Sequence, residues 1–174
     1  MKYIRNMALT TLLVAQTFVP AMADPSRVET EAYIEGFVSK HANCSDSVAE
    51  YYTIISVAGG VIEATEEIRD GDIKPKLSKT RISILDVGEV GLLAEPSVRD
   101  CSVVLLSCSG GDKCARRELV YTGGEFENWT KMDNGIVLHL GATPEALEKL
   151  SRALKHYNDI YGGVLSQEYD EDTF

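Results

Sequence analysis

Four cysteines, Cys44, Cys101, Cys108 and Cys114, and three histidines, His41, His139 and His156, are the residues of this chain whose chemistry is most directly read from type and spacing. An even number of cysteines favours two disulfides if the chain reaches an oxidising compartment. Three pairings are possible. Cys108 and Cys114 flank Ser109-Gly110-Gly111-Asp112-Lys113, a turn-rich stretch between two β-like runs, so a hairpin would set them face to face and leave Cys44 for Cys101. On a chain-entropy estimate the long loop contributes about 4 kcal/mol and the short one about 2 kcal/mol. There is no C-x-x-C, which argues against a redox pair or a zinc site. No metal and no cofactor are expected.

His139 falls on the strand face opposite Ile136, Leu138 and Leu140, and His156 falls beside the apolar stripe of the last helix. Brought together, the two could bind a metal ion or shuttle a proton; apart, they are half-exposed surface histidines. General acid–base chemistry needs two positioned carboxylates, and 27 acidic residues make accidental pairs common, so their number selects none. G-x-S-x-G, H-E-x-x-H, G-x-x-x-x-G-K, G-x-G-x-x-G and the calcium-loop pattern are all missing, and Asp70-Gly71-Asp72 reads as a turn.

The segment Gly123-Gly124-Glu125-Phe126-Glu127-Asn128-Trp129 places two large aromatics among acids. Phe126 and Trp129 beside Glu125 and Glu127 would suit a basic protein, a cationic peptide or a sugar, because aromatics dominate interface energies. The competing expectation is that both rings fold back over the core. Asn43-Cys44-Ser45 and Asn128-Trp129-Thr130 are also glycosylation sequons.

The compartment is set by the first residues. Lys2 and Arg5 precede an apolar run of about thirteen residues from Met7 to Val19, then Pro20 and Ala21-Met22-Ala23, the order of a secretory signal. The run is shorter than the roughly 20 residues a membrane-spanning helix needs. Residues 1–23 are therefore read as a signal peptide, 24–163 as a single α+β domain and 164–174 as an acidic disordered tail. The net charge of −10 becomes −12 once Lys2 and Arg5 are removed. Such acidity disfavours nucleic acid and anionic membranes and favours a basic protein or cationic ligand.

The elements that must position these residues follow from periodicity. Ser26 and Glu29 form a capping box for a helix ending near Lys40, with Thr30, Ile34, Phe37, Val38 and His41 on one side. Tyr51–Val57 and Val61–Ile68 read as strands joined at Gly59-Gly60, the second with Ile62, Ala64 and Ile68 on one face. Lys79–Val87, Val103–Leu106, Ala115–Tyr121 and Gly135–Leu140 follow as strands; the second of these is central, the third closer to an edge, and Thr122–Asn134 is a loop. Thr143 and Pro144 start a last helix with Leu147, Leu150, Leu154, Tyr157 and Tyr161 in one stripe, ended by Gly162-Gly163.

The fold predicted is thus α+β: an N-terminal helix, about six mostly antiparallel strands in a curled sheet, and a C-terminal amphipathic helix packed on it. The function expected is that of an exported, periplasmic or secreted, disulfide-braced binding or inhibitor-like protein without enzymatic activity, acting through an acidic surface on a basic partner. A small exported hydrolase built from scattered acids and a histidine, and a carrier of a small apolar ligand within the sheet, are the alternatives.

Overall fold

The computed structural model describes residues 25–70, 76–93, 101–121 and 128–162. The expected signal peptide and acidic tail lie outside them. The chain opens with helix α1 (Arg27–Lys40), where Ser26 Oγ accepts from the Glu29 amide and the Glu29 carboxylate reaches back to the Ser26 amide, the capping box read from sequence. It closes with α2 (Pro144–Ile160), capped by Thr143 with Pro144 in the first turn. Between them the described residues form nine strands: β1 (Asn43–Ser45), β2 (Glu50–Ala58), β3 (Val61–Arg69), β4 (Lys76–Ser83), β5 (Val87–Leu93), β6 (Ser102–Cys108), β7 (Ala115–Tyr121), β8 (Trp129–Asp133) and β9 (Gly135–Leu140). The fold is α+β, with an open sheet rather than a closed barrel.

The strands divide between two antiparallel sheets, one of six in the order β1-β2-β3-β4-β7-β8 and one of three in the order β5-β6-β9. The β2–β3 hairpin turns on Gly59 and Gly60, both at positive φ (60° and 80°), as a two-residue loop requires. A 3₁₀ turn at Ile84–Asp86 ends β4 and lets the chain cross into the second sheet as β5. Three local expectations change as a result. The run taken as one strand to Val87 breaks at this turn; β7 is flanked by both β4 and β8 instead of lying at an edge; and Trp129–Asp133, expected in a loop, is the outermost strand.

Inward positions of both sheets meet the helices in one core, with Ile34 and Val38 of α1, Ile62 and Ile82 of the large sheet, Leu106, Ile136, Leu138 and Leu140 of the small one, and Leu147, Leu150, Leu154 and Tyr157 of α2 all buried. The predicted stripe of α2 is therefore its buried face. Both helices also tie down the edge and turn of β2. Glu35 Oε1 accepts the Val57 amide at 2.7 Å, Glu31 Oε1 accepts the Gly59 amide at 3.2 Å, and the Tyr157 hydroxyl accepts the Gly60 amide while donating to Glu31, both at 2.9 Å. Carboxylates of α1 thus occupy backbone donors that an open strand would leave free.

Cys44 is bonded to Cys101 and Cys108 to Cys114, with Cα separations of 5.0 and 5.8 Å. These are the pairs expected, but the second does not close a hairpin: Cys108 ends β6 of the small sheet and Cys114 precedes β7 of the large one. Cys101 precedes β6 and Cys44 lies in β1. The central strand of the small sheet is consequently stapled at both ends to the large sheet. Two bridges are compatible with maturation in an oxidising compartment, and among the described residues no helix is long and apolar enough to cross a membrane.

Candidate functional site

His139 and His156 each have a partner of their own. His156 Nε2 lies 2.9 Å from the carbonyl oxygen of Pro25. His139 Nδ1 lies 2.8 Å from Oε1 of Glu66, a residue that sequence reasoning did not single out. Glu66 is 6% exposed, on the same face of β3 as Ile62 and Ala64. A signal was present in the sequence: period-two alternation puts an acid on an apolar face, where a carboxylate must find donors.

It finds three. Glu66 Oε1 accepts from the His139 ring at 2.8 Å, from the His139 amide at 3.2 Å and from the Thr53 hydroxyl at 3.3 Å. The Thr53 hydroxyl also lies 2.9 Å from the His139 carbonyl oxygen. The outer edge of β9 is therefore bonded to side chains of β2 and β3, which joins the two sheets without a continuous backbone ladder. The His139 ring stacks on Tyr51, with centroids 3.9 Å apart and planes 15° from parallel. The Tyr51 hydroxyl donates to Asp46 at 3.1 Å. Burial, the hydrogen bond to Asp46 and the charges of Asp46, Glu66 and Asp70 push the Tyr51 phenol up to about 12. Asp46 accepts the Ala49 and Val48 amides, each at 2.7 Å; the Ala49 bond leads, burial opposes, and its carboxyl is held below its ordinary range.

The other face of the same corner is open. Register sets Asn43 beside Tyr52 and Tyr52 beside Glu67, and in the next row sets Ser45 beside Glu50 and Glu50 beside Arg69. These residues, with Tyr51, line a cleft of about 580 Å³. Tyr52 is 42% exposed. Arg69 faces Glu50 across the ladder but turns along its own strand to Glu67, with Nε and Nη2 both 2.8 Å from Oε1. Glu50 is left exposed and without an ion pair among the described residues. A carboxylate with no counter-ion beside an exposed phenol ring can take a guanidinium or ammonium group.

Of the aromatic–acidic surface predicted around Trp129, residues Glu125, Phe126 and Glu127 lie outside the described residues. Trp129 lies on β8 and is 37% exposed, with the Lys131 ammonium 5.1 Å from its ring centroid. The ring meets a cation of its own chain. No group of three or more metal-ligating side chains occurs among the described residues. Compared with protein-family models, with curated proteins and with solved structures, the chain finds no significant match in any of the three.

Proposed function

We propose that this is an exported, non-enzymatic binding protein that takes a basic partner on its acidic surface, with the cleft at the β1–β2–β3 corner as the contact. The carrying observation is Glu50, a carboxylate whose cross-strand arginine is engaged elsewhere, beside the exposed ring of Tyr52. The acidic charge, −10 for the full chain and −12 without Lys2 and Arg5, would draw a basic partner towards it, and the two disulfides give that corner a rigid frame, since Cys44 lies within β1. The Trp129 surface is the second place on this chain where such a partner could sit. Affinity capture from the exported fraction tests both. Capture should weaken with rising ionic strength and with Glu50→Gln or Tyr52→Ala; loss with Trp129→Ala alone would move the contact to β8.

A hydrolase is the second reading, favoured by the Glu66–His139 pair, in which a carboxylate orients an imidazole. The three hydrogen bonds on one Glu66 oxygen and the tyrosine on the ring face fit a joint between sheets better. Ester hydrolysis that disappears in His139→Asn would restore the hydrolase.

A further inference from the structure

A second cavity lies between the two helices, about 510 Å³ in volume and within the range of small-molecule sites. Its walls are mainly apolar, from Pro25, Thr30, Tyr33 and Ala153, with Arg152, His156 and Glu29 as the charged groups that line it. The charges are unequally committed. The Glu29 carboxylate is spent on the capping box, where Oε2 is 2.8 Å from the Ser26 amide and 2.7 Å from its hydroxyl. Those bonds hold its carboxyl below the ordinary range. Arg152 is exposed and has no ion pair among the described residues, although Glu148 stands one turn before it and Glu29 lines the same groove. His156 offers Nδ1 while Nε2 faces the Pro25 carbonyl.

An apolar groove with a free guanidinium on its wall has the chemistry of a site for an amphipathic anion. We propose that this α1–α2 groove binds a small ligand with an aliphatic or aromatic body and a carboxylate head, the body against Tyr33 and Ala153 and the head on Arg152. The preference is opposite in charge to that of the β1–β3 cleft, and the two clefts share no lining residue. A guanidinium takes a carboxylate in bidentate fashion, which an alcohol of the same length cannot reproduce.

Octanoate, monomeric at the concentrations used, and octan-1-ol are titrated calorimetrically into the exported protein and into Arg152→Ala and Arg152→Lys. Octanoate should bind one to one and more tightly than octanol. Arg152→Ala should weaken octanoate about tenfold and leave octanol unchanged, with Arg152→Lys between. Arg152 is exposed, so these variants keep the fold, and Tyr33→Ala should weaken both ligands. Absence of octanoate binding, equal binding of the two ligands, or indifference of octanoate to Arg152→Ala would each overturn the proposal.

Discussion

Oε1 of Glu66 lies 2.8 Å from Nδ1 of His139 although 73 residues separate them, and the same oxygen accepts the His139 amide. One buried carboxylate thereby joins β3 of the large sheet to the free edge of β9 in the small one. Removing it strands the His139 amide and imidazole together, while the Thr53 hydroxyl keeps the His139 carbonyl as acceptor, and such donors cost free energy when unpaired. Glu66→Ala is expected to destabilise the fold by about 3 kcal/mol, and Glu66→Gln, which keeps an acceptor, by about 1 kcal/mol. Urea denaturation measures both. Equal, small losses would show that the joint carries no stability.

The two disulfides act on β6 from opposite ends but close loops of very different length, 57 and 6 residues in separation. Replacing Cys44 and Cys101 by Ser should cost about 4 kcal/mol, and replacing Cys108 and Cys114 about 2 kcal/mol. Denaturant midpoints of the two double variants check the order. The reverse order would mean that the β6–β7 staple restrains more than its own short loop.

Much of this architecture was legible locally and little of its pairing was. The Ser26–Glu29 box, the Thr143–Pro144 cap and the Gly59-Gly60 turn are short-range chemistry and stand as read. Cys108 and Cys114 pair as their spacing implies but across two sheets instead of within a hairpin, because a strand's pattern shows which face is buried but not which strand lies beside it. At Ser109–Gly111 the chain changes sheets. β5 was hidden by Gly88 and Gly91, which interrupt its apolar run; a Cβ at Gly88 would come within 2.7 Å of the Ser109 backbone. β8 has nearly every side chain exposed and so shows no alternation to detect. The cleft could not be foreseen, since it depends on the register that sets Glu50 opposite Arg69.

Close approach rather than a positive φ governs Gly135. A methyl group there would overlap the Leu106 carbonyl oxygen within the β6–β9 ladder. Gly135→Ala should push β9 off β6 and lower stability by several kcal/mol, on the order of the largest single-site effects. At Gly59, where φ is 60° and nothing lies near the missing Cβ, alanine should cost only about 1 kcal/mol. Thermal denaturation of the two variants separates crowding from backbone strain.

The Tyr51 phenol, raised to about 12 in the fold, has an ordinary value near 10. A raised value means that folding favours the neutral form. Its contribution to stability is complete below about pH 10 and is lost as pH climbs towards 12. Tyr51→Phe should flatten the fall in stability over that interval, as followed by denaturation at pH 9 to 12. An unchanged slope would remove Tyr51 as its source.

Asp46 gives the opposite sign. Its carboxyl is held down in the fold, led by the Ala49 amide, so its contribution is present above the ordinary carboxylate value near 3.9 and disappears as pH falls through the lower folded value. Asp46→Asn should reduce the acid sensitivity of the fold below about pH 4, measured by denaturation between pH 2 and 5.

The account turns on the β1–β3 cleft taking a cationic group, and titrating the protein with an arginine-rich peptide, in parallel with the same peptide carrying neutral citrulline, reads this most directly. The arginine peptide should bind, weaken with added salt, and lose about tenfold in affinity on Glu50→Gln, while the citrulline peptide should not bind. Equal binding of the two peptides, or an affinity untouched by Glu50→Gln and Tyr52→Ala together, would contradict it.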